Sequence, residues 1–295
     1  MNVDFIRFKA TDSVELRGWS SNLTGDICAI HIHGMSGNGY ENYFLDNLRE
    51  MFVNNNISFL TIDTRGSGIY NSFWMNGKEN AWGEGSKLGG SAFEIFEESA
   101  FDIQGAINYL KALGKKRFIL LGHSLGGSKV VNFLASDKHS EVIAAVLLAP
   151  TDMVSWANTD LNNLDYLQKS KKLISEGKGE ELVGAECWLD KTPLSAQTYP
   201  TICEAGSSVD IYGVKRDESP LGTLEIPMLI AYGDIDIGIT KVDGVIGKWL
   251  ERVNKVKNKN TSISIIEGAQ HSFKKHESEL ANVIEEFIKK QRYDR

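Results

Sequence analysis

Arg117-Phe118-Ile119-Leu120-Leu121-Gly122-His123-Ser124-Leu125-Gly126-Gly127 constrains the fold more than any other stretch of the chain. An apolar run with the length of a strand buried on both faces ends in Gly-x-Ser-x-Gly. A helical pattern (Lys129, Val130, Val131, Phe133, Leu134, Ala135) starts immediately after it. A turn joining the two must be very tight. Gly122 and Gly126 supply the room, because a Cβ at either would collide where strand and helix cross. Ser124 is left at the apex, its hydroxyl exposed and its backbone strained, in the form of a nucleophile elbow. Serines between glycines also occur in ordinary loops, but those lack the strand before and the helix after.

The rest of the chain repeats this alternation. Residues 3 to 20 read as an antiparallel hairpin turning at Thr11-Asp12-Ser13. Asp26 to His33 and Ile57 to Ile62 read as buried strands, with helical spacing from 41 to 54 between them. Residues 69 to 92 lack periodicity and read as a long loop rich in Gly, Asn and aromatic residues, a type that is often functional. A helix is predicted from about Glu94 to Leu113, then the elbow strand and helix, then a strand at Val142 to Leu148. Residues 151 to 224 break the rhythm, with helical stretches at Leu164 to Ile174 and Glu180 to Cys187. It resumes with a strand at Pro227 to Gly233, a helix from about Val242 to Val256, a strand at Ser262 to Glu267 and a helix at Glu277 to Arg292. The pattern predicts an α/β fold with a mostly parallel central sheet and helices on both faces. Residues 1–150 and 225–295 form the core, and 151–224 are a helical lid inserted over the strand ends.

A serine hydroxyl needs a base, and the base needs a group that holds its tautomer. In a fold of this kind the partners follow the serine in the order acid, then histidine, in loops past later strands. The last strand leads into Gly268-Ala269-Gln270-His271, and His271 is the predicted base. Among its competitors, His139 lies in a polar loop and reads as solvated. His276 stands at an exposed helix start, His31 falls inside a central strand as a hydrogen-bonded core residue, and His123 points elsewhere on the elbow. For the acid, Asp236 is favoured over Asp234 in Gly233-Asp234-Ile235-Asp236, with Asp152 as a third candidate. An oxyanion needs donors. The backbone N–H of Leu125 is one, and that of Met35 in His33-Gly34-Met35 is the choice for the other. His33 reads as a strut for that loop. Arg65 either ties down its own loop or binds a substrate carboxylate. Trp74 and Trp82 in the long loop and Trp156 and Trp188 in the lid are candidates for an aromatic substrate pocket, the alternative being that the lid tryptophans pack the lid to the body.

His33-Gly-Met-Ser-Gly, Asp63-Thr-Arg-Gly-Ser-Gly, Gly122-His-Ser-Leu-Gly-Gly, Gly233-Asp-Ile-Asp and Gly268-Ala-Gln-His-Ser-Phe, in this order, resemble the α/β-hydrolase superfamily of serine esterases, lipases, thioesterases and peptidases. The resemblance spans nearly the whole chain except the lid. Gly89-Gly90-Ser91-Ala92-Phe93-Glu94 is similar to a subgroup of small bacterial and fungal esterases. The resemblance implies a Ser124–His271–Asp236 triad and two-step acyl transfer, with no metal or organic cofactor. The expected substrate is a small to medium, partly apolar ester. A thioesterase or an amide-cleaving peptidase uses the same triad, and a non-catalytic small-molecule receptor could keep the same fold. A dehalogenase would carry an aspartate where Ser124 stands.

The net charge of −7 argues against nucleic-acid and anionic-membrane partners, both of which call for a basic face. No apolar run approaches the roughly 18–20 residues of a membrane span. The N-terminus shows no signal-peptide pattern. The three cysteines, Cys28, Cys187 and Cys203, have no metal-like spacing. Reduced thiols in a cytoplasmic protein are expected.

Overall fold

The computed structural model describes residues 3–21, 24–75, 85–188, 192–214 and 217–291, with backbone alone at 185 and 186. The first two strands, β1 (Asp4–Lys9) and β2 (Glu15–Ser21), pair antiparallel. Ile6, Phe8 and Leu16 turn inward between neighbours that are exposed or partly exposed, the period-2 pattern of a sheet with one solvated face. β3 (Ile27–Ile32) and β4 (Ser58–Ile62) are buried along their whole length and need cover on both faces. Between them α1 (Phe44–Asn54) buries Phe44, Leu45, Leu48, Met51 and Phe52 along one stripe.

After β4 come β5 (Asn71–Met75) and β6 (Gly85–Gly89), a 3-10 turn at Phe96–Glu98 and α2 (Ser99–Ala112). Then follow β7 (Arg117–His123), α3 (Leu125–Ser136) and β8 (Val142–Leu148). The chain next leaves the sheet through α4 (Met153–Ala157), α5 (Asn163–Ser175), β9 (Leu182–Trp188), β10 (Thr192–Ser195), α6 (Thr198–Cys203) and α7 (Pro220–Thr223). It returns as β11 (Met228–Gly233), α8 (Ile237–Val242), α9 (Ile246–Val256), β12 (Thr261–Ile266) and α10 (Glu277–Gln291).

Among the described residues, eight strands form one sheet in the order β1-β2-β4-β3-β7-β8-β11-β12. β2 runs antiparallel to β1 and β4, and the other neighbours are parallel. From β3 the order grows one way to β4, and from β7 the other way to β12. The carboxyl ends of β3 and β7 therefore flank the point where the winding reverses, which is where open α/β sheets open a crevice. This is the α/β-hydrolase fold the sequence predicts.

Three local expectations need correction. Residues 69 to 92 are not structureless: β5 and β6 pair antiparallel from Asn71↔Gly89 to Met75↔Gly85. On β5 only Phe73 is buried, so no apolar alternation marks it in the sequence. Glu180 to Cys187, expected as helical, holds β9, which pairs with β10 through two register shifts. Pairing with the strand that follows it overrode the local pattern. The helix expected from about Val242 to Val256 starts at Ile246 as α9, and a separate helix, α8, lies ahead of it at Ile237–Val242.

One apolar cluster surrounds the sheet. A second joins Phe96 and Leu125 to Met153, Val154, Val183, Trp188, Tyr199 and other residues of the segment between β8 and β11. Cys28, Cys187 and Cys203 are buried free thiols, and burial pushes the Cys28 thiol up to about 12 against the opposing charge of Lys115. Among the described residues no helix is long and apolar enough to cross a membrane.

Candidate active site

Ser124 sits between β7 and α3 with φ 56° and ψ −124°, a backbone conformation that residues with a Cβ rarely adopt. Ser124 N donates to the Leu148 carbonyl at 2.8 Å, and the Ser124 carbonyl accepts from Gly127 N at 2.9 Å. These bonds hold the bend. A Cβ on Gly122 would strike the Gly126 carbonyl, and one on Gly126 would strike the Ile32 carbonyl. The two glycines thus let helix and strand cross.

His271 follows β12, and its Nδ1 lies 2.9 Å from Asp236 Oδ2 and 3.1 Å from Oδ1. A carboxylate only accepts, so Nδ1 carries the proton and Nε2 keeps a free lone pair. Asp236 is fully buried. It also caps α8, with Oδ1 accepting from Gly238 N at 2.6 Å. The other acid candidates are engaged elsewhere. Asp234 Oδ1 accepts from Gly268 N at 2.7 Å and ties the acid loop to the histidine loop. Asp152 caps α4 through Ser155 N at 2.9 Å and pairs with Arg252 at 2.6 Å. Arg252 in turn grips Asp243 at 2.8 Å. Burial raises the Asp152 carboxyl above its ordinary range, against the pull of Arg252.

The Ser124 hydroxyl meets the Thr151 hydroxyl at 3.3 Å. In this structure its hydrogen bond is with Thr151 and not with His271. Thr151 comes from the loop after β8. Tyr212 donates to the Pro150 carbonyl at 2.7 Å, and Tyr232 donates to the same oxygen.

The loop after β3 lies against the nucleophile. A Cβ on Gly34 would stand 2.8 Å from Ser124 Cβ and 3.3 Å from Oγ, so only a glycine lets this backbone approach. His33 is the expected strut. Its Nε2 accepts from Thr64 N at 3.0 Å and its Nδ1 donates to the Gly34 carbonyl at 2.7 Å. Burial, with Lys129 nearby, pushes it down to about 3 and keeps it neutral. Ser36, at φ 56°, is held to Ser91 by a 2.5 Å hydroxyl pair. Below this loop Lys129 of α3 pairs with Glu94 at 2.5 Å, both fully buried. Arg65 is taken up by Asp12, Glu98 and Asp102 at 2.7–2.9 Å, so it ties its loop down.

Met35, Leu125, Trp156 and Trp188 meet in the second apolar cluster, with the two indoles 6.0 Å apart. Trp74 is half exposed on β5, in the hairpin that packs against β2, and is not part of that cluster. Trp82 lies outside the described residues. Among the described residues, no group of three or more His, Cys, Asp and Glu side chains gathers as a metal site.

Two histidines differ from expectation. His31 is buried with neither ring nitrogen hydrogen-bonded, its ring edge-on to Phe44. His139 is half-buried, stacked on Phe133, with Nε2 on the Phe133 carbonyl at 3.0 Å. The last carbonyls of a helix lack intrahelical partners, and one of them draws this ring in. The sequence reading missed Thr151 and the bond from His123 Nε2 to the His271 carbonyl at 2.9 Å. Thr151 carried one cue, its place just past a central strand next to the elbow strand.

Residues 81–290 match the family model described as "Protein of unknown function (DUF1749)". The chain belongs to the DUF1749 family. Among solved structures, this DUF1749 protein is similar to Est1E from Butyrivibrio proteoclasticus with ferulic acid bound. The TM-score is 0.66 at 17% identity, over 96% of this chain and 98% of that one. It is similar to the α/β hydrolase GrgF from Penicillium sp. sh18, with TM-score 0.67 at 16% identity over 99% of both chains. It is also similar to the Pyrococcus furiosus esterase Pf2001, with TM-score 0.61 at 16% identity over 98% of this chain and 92% of that one. No curated protein matches the sequence. The DUF1749 protein thus has the α/β-hydrolase fold.

Proposed function

We propose that this DUF1749 protein is a serine hydrolase that cleaves carboxylic esters of small to medium, partly apolar molecules through an acyl-enzyme. One observation carries the reading: the His271 imidazole is locked through Nδ1 onto buried Asp236, in a loop that His123 ties to the strand bearing the strained Ser124. A base-and-orienter pair beside a nucleophile accounts for that combination.

The Ser124 hydroxyl leaves Thr151 by rotation about χ1 and donates its proton to His271 Nε2 as Oγ attacks the ester carbonyl. The imidazolium formed is stabilised by Asp236, which stays ionised. The amides of Leu125, at the start of α3, and of Met35, next to Gly34, hold the oxyanion. The C–O bond breaks, and the alcohol leaves with the proton from His271. Water then attacks the acyl-enzyme by the same steps and frees Ser124 and the acid. No metal or organic cofactor enters. The apolar cluster around Trp156 and Trp188 supports a partly apolar acyl or alcohol group. Two of the similar structures bear the name esterase or hold ferulic acid, which supports the same class.

Hydrolysis of a p-nitrophenyl butyrate series tests this. The wild-type protein should turn it over, and Ser124→Ala and His271→Ala should each lose turnover while remaining folded. Wild-type rates in Ser124→Ala would refute the reading.

A further inference from the structure

We propose that His123 is a positioning residue that holds His271 at the nucleophile through the hydrogen bond from its Nε2 to the His271 carbonyl. This rests on the reading of His271 as the base. The bond is 2.9 Å long and joins residues 148 positions apart, the last of the elbow strand and the core of the histidine loop. A carbonyl only accepts, so His123 Nε2 must carry the hydrogen. The ring is neutral at ordinary pH, because burial pushes His123 down to about 4, helped by His271 and opposed by Asp236. It therefore has one N–H, and that N–H is committed to His271. His31 and His33 are the other titratable groups close enough to interact with it.

Packing fixes the ring that donates. His123 lies edge-on to Phe44 at 5.3 Å and 5.0 Å from the His271 ring. Phe44 also packs against Phe273 at 6.2 Å, and Phe273 is buried at φ 52° in the same histidine loop. The loop is thus pinned at Gly268 by Asp234, at Phe273 by Phe44 and at its centre by His123. The central pin sits on the residue next to Ser124. Nucleophile and base are thereby referenced to one strand end, and their separation does not depend on the loop alone. An apolar side chain at 123 could fill the same space but would leave the His271 carbonyl without its donor.

Two variants separate donation from packing: His123→Gln keeps an N–H donor, and His123→Met fills space without one. With a p-nitrophenyl ester, kcat of His123→Met should fall by about 10²-fold with KM little changed, the scale set by a misplacement of about 1 Å. His123→Gln should recover most of it. Equal kcat in wild type and His123→Met would overturn the proposal. Nitrogen-15 NMR of the wild-type imidazoles decides without variants or turnover, so a chain that proves not to be an esterase still answers the question. The Nε2–H tautomer at His123 between about pH 5.5 and 8 is expected, and the Nδ1–H tautomer would overturn the proposal.

Discussion

At the scale of single residues, the site depends on which oxygen and nitrogen atoms are already committed. Asp236 has both oxygens on His271 Nδ1, whereas Asp152 and Asp234 serve Arg252 and Gly268. Asp236→Asn should therefore lower kcat by about 10⁴-fold by admitting the wrong tautomer, while Asp234→Asn and Asp152→Asn cost far less in steady-state ester assays. A 10⁴-scale loss at Asp152 instead would reassign the acid. His31 gives a pH prediction. Its folded pKa lies well below 6.5, first because of burial and then because of His123 and His33. The unfolded chain binds the proton that the folded one refuses, so this histidine's contribution is complete above about pH 6.5 and lost as pH falls below it. On going from about pH 7.5 to 5.5, wild type should lose more unfolding free energy, read by urea titration, than His31→Phe does, and equal losses would contradict this assignment. The place of Ser124 at a strained bend and the pairing of His271 with Asp236 were legible because chain order and strand ends announce them. Thr151 and His123 were not, because a hydroxyl or ring in a loop has no periodic cue for the direction in which it points.

At the scale of elements, the elbow helix carries a burden unlike the others. α3 buries Lys129 against Glu94 with no exposure for either side chain. Removing one partner leaves a buried charge uncompensated, which costs about 3–5 kcal/mol, whereas replacing both by apolar groups is often neutral. Lys129→Met alone should lower the unfolding free energy by that amount, and Lys129→Met with Glu94→Leu should restore most of it, as read by denaturant titration. Single and double variants of equal stability would show that the pair does not couple. The sequence shows Lys129 only as a basic residue on an otherwise apolar helix face; its partner lies 35 positions away and cannot be paired by pattern. The same holds for β5 with β6 and β9 with β10. β5 buries only Phe73, and β9 meets β10 through two register shifts, so neither pair shows a clean alternation of its own. β3, β4, β7, β8 and β11 were readable because each is a mostly apolar run buried nearly throughout.

At the scale of the whole molecule, strand order does the positioning. The reversal at β3 and β7 gathers the Gly34 loop, Ser124, Thr151, Asp236 and His271 at one edge of the sheet, each from a different strand end. The segment between β8 and β11 has its own apolar cluster, which takes in Leu125 and Met35. Substrate range should follow that cluster and not the triad. Trp156→Ala should raise kcat/KM for longer p-nitrophenyl acyl chains relative to acetate, and an unchanged profile from acetyl to octanoyl would place the acyl group elsewhere. The most direct measurement of the central claim is the intact mass of the protein after treatment with a fluorophosphonate, followed by peptide mapping. One phosphonyl adduct on Ser124, absent in Ser124→Ala and formed much more slowly in His271→Ala, is the predicted result. An unmodified wild-type protein, or an adduct that persists in Ser124→Ala, would contradict it.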